Sequence, residues 1–138
     1  MNINGVSKGV EILDTAGEDD FQGMFDMWTT FGEGFLLVFA IDDPESFDAI
    51  KQKHDRVIKS KVGTPCPMIL VGNKKDLEKQ RKVSSEEAQK LANQWGIEYI
   101  ETSALNNINC KEPFEKIASA ILKMHAPIPK SGTCCHIF

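Results

Sequence analysis

The sequence predicts an α/β fold: a three-layer, doubly wound domain with a mostly parallel sheet. Apolar runs alternate with helical patterns along all 138 residues, which is typical of repeated strand and helix units. Residues 35–41 (FLLVFAI) form a continuous apolar run, as expected of a strand buried on both faces of a sheet. A chain of this length can form one domain with a substantial core.

The first half of the chain predicts two strands and a helix. Residues 9–13 form the first strand, and residues 3–5 form a hairpin that enters it. After the strand at 35–41, Asp43 and Pro44 are suited to begin a helix, as N-cap and first-turn proline. The predicted buried face of this helix comprises Phe47, Ile50, Val57 and Ile58.

The second half predicts two more strands, at residues 68–71 and 98–102, each followed by a helix. The first of these helices begins at a capping box formed by Ser84 and Glu87, and it ends at Gly96. Its buried stripe comprises Ala88, Leu91, Ala92 and Trp95. The stripe of the last helix, which ends before Pro127, comprises Phe114, Ile117, Ala118, Ile121 and Leu122.

Composition excludes several classes of function. The net charge is -4, with 16 Lys and Arg scattered among 20 acidic residues, which argues against nucleic acid as a partner. Apolar runs are too short for a membrane-spanning helix, and residues 1–10 lack the pattern of a secretory signal, so the cytosol is expected. The 4 cysteines lack the spacing of a disulfide framework or zinc site, and the 3 histidines are scattered.

Three polar segments follow predicted strands directly: DTAG at residues 14–17, NKKD at 73–76 and TSA at 102–104. The ligand crevice of an open parallel sheet lies outside the carboxyl ends of its strands. We therefore expect the three segments to converge on one site. Each segment alone is also typical of an ordinary loop or an N-cap, so their combination carries the prediction.

In this order and spacing, the motifs resemble those of the Ras-like small GTPases, in the Ras or Rap branch. The matching segments are DTAGE, FLLVFAI, ILVGNKKD, ETSA and a C-terminal Cys-a-a-X, and the resemblance extends over residues 3–138. It implies the small G-domain of the phosphate-loop NTPases for residues 1–125, incomplete at its N-terminus. It also implies a signalling switch that binds GTP or GDP with Mg²⁺, and exchange factors, GTPase-activating proteins and effectors as partners.

The resemblance assigns guanine recognition to Asn73 and Asp76. A carboxylate at Asp76 can accept both N–H groups of the guanine edge, which adenine cannot supply. The stem of Lys74 is expected to pack along the nucleotide plane. Ser103 and Ala104 are assigned to the loop whose backbone N–H meets the guanine oxygen.

The resemblance places the metal and phosphate groups in the DTAGE segment. Asp14 is expected to hold Mg²⁺ through a water, and the Gly17 N–H to meet the γ-phosphate. Glu18 occupies the catalytic position where the family has a glutamine that orients the attacking water, so hydrolysis should be slow. Leu105 replaces a lysine near the base, which should lower affinity modestly.

No phosphate-loop motif, G-x-x-x-x-G-K-[ST], occurs in the 138 residues. By the resemblance, the chain lacks four elements of the family's domain: its first strand, phosphate loop, first helix and first switch. The family's first strand lies between the strands at 9–13 and 35–41, so either these two close up directly or the fold is marginal. Nucleotide binding through the guanine readers alone should be weak.

Three functional hypotheses remain. The first is a GTP-binding switch whose sequence is incomplete and whose enzymatic activity belongs to a longer chain. The second is a catalytically inactive interaction module that binds partners through the second switch region, residues 18–30. The third is a non-functional fragment.

The C-terminal segment predicts attachment to a membrane. Cys135 begins a Cys-a-a-X motif ending in Phe138, which favours a geranylgeranyl chain. Because one chain anchors only weakly, Cys134 is expected to carry a palmitoyl or second prenyl group. Residues 126–138 are thus predicted to form a flexible lipidated tail that holds the protein at the cytoplasmic face of a membrane, and the plasma membrane is the expected one.

Overall fold

The computed structural model describes residues 1–3, 5–14, 22–125 and 135–137. Its strands are β1 (Asn2–Ile3), β2 (Val6–Ser7), β3 (Val10–Ile12), β4 (Phe35–Ala40), β5 (Met68–Asn73), β6 (Glu98–Glu101) and β7 (Cys135–Ile137). Its helices are α1 (Gln22–Phe31), α2 (Pro44–Ser60), α3 (Ser85–Trp95) and α4 (Glu112–Met124), with a 3₁₀ helix at Lys75–Gln80. None of the helices in the described ranges is long and apolar enough to cross a membrane.

Strands β4, β5 and β6 form a parallel sheet in that order. β4 and β5 pair along their whole length, from Phe35 opposite Met68 to Ala40 opposite Asn73. The arrangement confirms the predicted mostly parallel α/β fold. It also brings the carboxyl ends of the three strands to one edge of the sheet.

Helices cover both faces of this sheet and produce the three predicted layers. Alternate residues of β5 enter different cores, because successive side chains of a strand point to opposite faces. Met68 and Leu70 belong to the core beneath α2 and α3, whereas Ile69 and Val71 belong to the core beneath α4. The whole of β5 except its last residue is buried, which explains why its sequence shows no polar alternation.

Side-chain caps set the helix boundaries that the sequence predicts. The Asp43 carboxylate accepts a hydrogen bond from the Glu45 N–H at 3.0 Å, and Pro44 begins α2. The Ser84 hydroxyl accepts one from the Glu87 N–H at 3.1 Å. Gly96 ends α3 in the left-handed conformation, with φ of 69°, which glycine adopts without a Cβ clash.

The predicted buried face of α2 is correct except for Ile58, which is 46% exposed. The face continues instead through His54, which is buried and stacks on Trp95 with ring centroids 3.7 Å apart. His54 lies four residues after Ile50 and three before Val57, so it falls on the same side of the helix. Ile58, next to Val57, is rotated away from it.

Helix α1 was not predicted from the sequence. It packs against α2, where the Arg56 guanidinium reaches the Asp26 carboxylate at 2.9 Å and lies 4.3 Å from the centre of the Phe25 ring. The Lys61 ammonium donates a hydrogen bond to the carbonyl of Thr30 at 2.8 Å. These contacts join residues 25–30 of α1 to α2, and Phe25 also packs against the apolar core beneath α2.

The N-terminal strands differ from the prediction. β1 and β2 close on each other as an antiparallel hairpin, and β3 covers only residues 10–12. β3 pairs in parallel with β7, Val10 opposite Cys135, so residues 135–137 form a strand where a flexible tail was expected. The domain boundary after residue 125 stays a prediction, because residues 126–134 and 138 lie outside the described ranges.

One edge of β4 carries no strand among the described residues. The Phe35 N–H donates to the carbonyl of Pro67, just before β5, and the Ile41 N–H donates to the carbonyl of Asn73, at the end of β5. The backbone groups of Leu36 and Val38 therefore face the other side. β3 and β4 do not pair. Direct pairing of these two strands, which was one of the two predicted outcomes, is therefore not observed.

Candidate nucleotide-binding site

Two of the three predicted polar segments meet at the carboxyl ends of β5 and β6. The Thr102 hydroxyl donates to the side-chain oxygen of Asn73 at 3.1 Å. The Ser103 hydroxyl donates to Oδ1 of Asp76 at 2.7 Å, and the Lys75 N–H donates to the Thr102 carbonyl at 3.0 Å. We call Asn73, Asp76, Thr102 and Ser103 the β5–β6 cluster.

The cluster leaves acceptor capacity for a ligand. Asp76 is half-buried, and only its Oδ1 forms a hydrogen bond within the described residues. Its second oxygen can therefore accept hydrogen bonds from a bound molecule. The Ser103 hydroxyl also accepts from the Asn106 N–H at 3.1 Å, so its hydrogen is directed towards Asp76.

Lys74 turns the chain sharply between β5 and the 3₁₀ helix. Its φ is 66°, a left-handed conformation that is uncommon for a residue with a Cβ. Its ammonium lies 3.9 Å from Oδ1 of Asp42, which is buried and has no hydrogen bond within the described part of the chain. The Lys74 side chain is 51% exposed, so its stem is accessible beside the cluster.

The loop after β6 is held by its own backbone. Ser103 and Ile108 exchange hydrogen bonds of 3.0 and 2.9 Å, and Ser103 is fully buried. Ala104 and Leu105 project from this loop, and Leu105 is 81% exposed. The side chain at the position of the family's lysine is thus apolar and solvated.

A charged network that the sequence did not predict adjoins the cluster. The Arg81 guanidinium donates two hydrogen bonds to Glu101, both 2.8 Å, and two to Glu78, of 2.9 and 2.6 Å. The Tyr99 hydroxyl donates to Glu101 at 2.6 Å. The sequence feature that could have indicated this network is the position of Glu101, directly before Thr102 in the ETSA motif.

The network keeps both carboxylates charged. Burial works to raise the pKa of Glu101, but hydrogen bonds from Arg81 and Tyr99 outweigh burial and leave that pKa below its ordinary value. The Arg81 hydrogen bond also lowers the pKa of Glu78. Burial, followed by the bond to Glu101, raises the pKa of Tyr99. At neutral pH the network therefore consists of one guanidinium, two carboxylates and a neutral tyrosine.

Of the remaining predicted site residues, the structure describes Asp14 and Cys135. Asp14 lies just beyond β3 and is exposed. Gly17 and Glu18 lie outside the described residues, as does Cys134, and Cys135 begins β7. The convergence of the DTAG segment with the other two segments stays a prediction.

A cavity of about 660 Å³ separates the end of β3 from the open edge of β4. It extends from Asp14 to Asn73 and Ala104, and its walls are mainly apolar, including Phe25 and Leu36. This volume lies within the range of small-molecule sites. The cavity joins the β5–β6 cluster to the carboxylate of the DTAG segment.

The donors and acceptors fit a nucleotide better than a metal bound by protein alone. The described residues contain no group of three or more His, Cys, Asp or Glu arranged to hold a metal ion. Mg²⁺ with a nucleotide commonly takes one or two carboxylates, with phosphates and waters completing its shell. Asp14 at one end of the cavity could supply one such carboxylate, and Asn73 of the β5–β6 cluster lies at the other end.

Comparison with known proteins shows the family of the chain. The model of the Ras family matches residues 1–123. A Ras-like protein of Hydra vulgaris is 46% identical over 112 residues, which cover 81% of this chain and 58% of that protein. A Ras-like protein of Drosophila melanogaster is 41% identical over 122 residues, which cover 88% and 64%. The chain thus spans roughly three fifths of these relatives, and it belongs to the Ras family of small GTPases.

Proposed function

We propose that this chain recognises guanine nucleotides through the β5–β6 cluster, as part of a GTP-dependent signalling switch. The observation that carries the proposal is the 2.7 Å hydrogen bond from Ser103 to Asp76. It holds the carboxylate in place and leaves its second oxygen for two N–H groups on one edge of a base. Guanine supplies that pair, and adenine would leave the charge unsatisfied.

The other residues take the roles that the family motifs imply. The Lys74 stem lies along the base, the Ala104 backbone N–H meets its oxygen, and the Gly17 N–H meets the γ-phosphate. Asp14 holds Mg²⁺ through a water, and the metal neutralises phosphate charge. Because the 138 residues contain no phosphate-loop motif, the nucleotide is held mainly at its base and binds weakly.

Hydrolysis of GTP by this chain is slow. A carboxylate at Glu18 can accept a hydrogen bond from the attacking water but cannot donate one, and its charge faces an anionic phosphate. Glu18→Gln removes this repulsion. Single-turnover release of phosphate from GTP should be faster for the variant, and equal rates would show that Glu18 does not act on the water.

A titration of the chain with fluorescent GDP and millimolar Mg²⁺ tests the proposal. We expect saturation in the range of about 0.1–1 mM, with displacement by GDP but not by ADP. Asp76→Ala should abolish this selectivity. Asp48→Ala, which removes an exposed carboxylate paired with Lys51 on α2, should leave it unchanged. Equal displacement by ADP would contradict guanine recognition.

A second candidate function rests on the surface of α1. Met27 is 49% exposed and Phe31 67% exposed, and Met27 lies in the second switch region. This favours an interaction module that binds effectors, exchange factors or GTPase-activating proteins. A cooperative melt without saturable nucleotide binding would support the module, whereas the absence of a cooperative melt would indicate a non-functional fragment.

The C-terminal motif supports lipidation at Cys135, with a second lipid at Cys134, and attachment to the cytoplasmic face of the plasma membrane. Since residues 135–137 pair with β3, this strand must separate before a transferase can modify it. Mass spectrometry after incubation with a prenyltransferase and geranylgeranyl diphosphate should show an added chain that Cys135→Ser abolishes. An unchanged mass for the unmodified sequence would contradict prenylation.

A further inference from the structure

The Arg81 guanidinium joins the two segments that carry the β5–β6 cluster. Glu78 lies on the 3₁₀ helix two residues after Asp76, and Glu101 directly precedes Thr102. Each carboxylate receives two hydrogen bonds from the guanidinium. The Arg81 and Glu101 side chains are both 13% exposed, so this pair is largely removed from water and from screening by salt.

Two hydroxyl groups bind the same oxygen of Glu101 that Nη1 of Arg81 binds. The Tyr99 hydroxyl donates to Glu101 at 2.6 Å and the Ser85 hydroxyl at 3.2 Å. The Tyr99 hydroxyl packs against β5 at Gly72, where it lies 2.5 Å from the point that a Cβ on Gly72 would occupy. A glycine before Asn73 is therefore what allows Tyr99 to reach Glu101.

We propose that Arg81 is a positioning residue for recognition of the guanine base: it holds the segment bearing Asp76 and the segment bearing Ser103 at the spacing that their hydrogen bond requires. The inference rests on the proposed function, since it gives that site its geometry. Arg81 touches no nucleotide. It acts through Glu78 and Glu101 on the residues beside them.

A positioning role predicts a local effect. The Lys75 N–H donates directly to the Thr102 carbonyl, so its protection from hydrogen exchange measures whether the two segments remain together. The Leu70 N–H, in the buried centre of β5, reports the stability of the whole domain instead. A residue that merely stabilises the fold would change the two amides equally.

Arg81→Gln tests the proposal in the whole chain. We expect the Lys75 amide to exchange about tenfold faster relative to Leu70, a change equivalent to one charge-assisted hydrogen bond. The preference for GDP over inosine diphosphate, which lacks the amine read by Asp76, should fall by about fivefold to tenfold. The matched control is Arg56→Gln, at an exposed pair with Asp26, which should change neither measurement.

Equal acceleration at Lys75 and Leu70, or an unchanged preference between the two nucleotides, would overturn the proposal. In both measurements Arg81→Lys should fall between the unmodified chain and Arg81→Gln, because lysine keeps the charge but not the planar fork. If Arg81→Gln does not fold, Glu78→Gln leaves the Glu101 pair intact and should accelerate Lys75 exchange in the same direction. Failure of the unmodified chain to distinguish GDP from ADP would overturn the proposed function, and the exchange comparison would still decide whether Arg81 joins the segments.

Discussion

The two ends of the candidate site are built differently. One end is the β5–β6 cluster, which we call the guanine end after its proposed ligand. It lies on a parallel sheet that helices cover on both faces, and each of its polar side chains has a hydrogen-bond partner. The other end is Asp14 beyond β3, which we call the phosphate end because the proposal places the phosphates there. β3 has three residues and pairs only with β7 within the described chain. Ile12 there is 51% exposed and Asp14 is exposed. Asn73 therefore ends a buried strand, whereas Asp14 follows a partly exposed one.

Burial accounts for this difference. Ile69 and Val71 of β5 pack against α4, where Ile117 and Ile121 are fully buried. Of β3, only Val10 packs against this core, and it is partly buried, while Ile12 lines a cavity beside β4. The guanine end should consequently withstand perturbations that loosen the phosphate end.

The largest expected effect comes from truncating the core that supports the guanine end. Ile117→Ala should lower the free energy of unfolding by about 2–5 kcal/mol, because it leaves a cavity between α4 and the sheet. The same change at Ile12, which is half exposed, should cost less than about 1 kcal/mol. Urea denaturation of both variants measures the difference. Equal losses would mean that β3 is as well packed as the main sheet.

A smaller effect is expected from added volume. In Gly72→Ala the new Cβ would lie 2.5 Å from the Tyr99 hydroxyl, so Tyr99 must move and its hydrogen bond to Glu101 weakens. We expect a loss of about 1–3 kcal/mol. Gly9→Ala, near β3, has open space around the new Cβ and should change stability by less than about 0.5 kcal/mol. Thermal unfolding of the pair compares the two ends, and a tolerated Gly72→Ala would show that Tyr99 is not fixed.

The well-packed end is also the one that the sequence predicted best. Strands buried on both faces appear as continuous apolar runs, and local caps such as Ser84 have short-range signatures, so both could be inferred without knowing the tertiary contacts. The meeting of the NKKD and TSA segments followed from the geometry of parallel sheets. The fold was predicted correctly for the same reason, and the family was predicted correctly from the order and spacing of the motifs.

What the sequence did not predict depends on long-range contacts. His54 lies in the core because Trp95 stacks on it, and a histidine in a polar stretch gives no such sign. Arg81 pairs with a residue 20 positions away. The β3–β7 pairing joins opposite ends of the chain, and nothing local in the C-terminal segment indicates a strand partner.

Acid should weaken the guanine end through Glu101. The pKa of Glu101 in the folded protein is below its ordinary value of 4.5, so its contribution to stability is present above that value and is lost as pH falls through the lower, folded-state pKa. Glu101→Gln should cost about 1 kcal/mol at pH 7, and this difference from the unmodified protein should shrink below pH 4.5. Urea denaturation across pH measures it, and a constant difference would show that the carboxylate charge contributes nothing.

The smallest effect on stability, and the most specific effect on binding, is expected at Leu105. Because this side chain is 81% exposed, Leu105→Lys should change the free energy of unfolding by less than about 0.5 kcal/mol. The new ammonium lies beside the β5–β6 cluster and should strengthen GDP binding about twofold to fivefold, as exposed charges contribute little more than this. Val62→Lys makes the same change in net charge at a side chain that is 80% exposed, on the loop after α2. An equal gain in both variants would show a general effect of charge on an acidic protein, whereas a gain at Leu105 alone, reduced by added salt, would place the nucleotide at the guanine end even though the phosphate end holds it weakly.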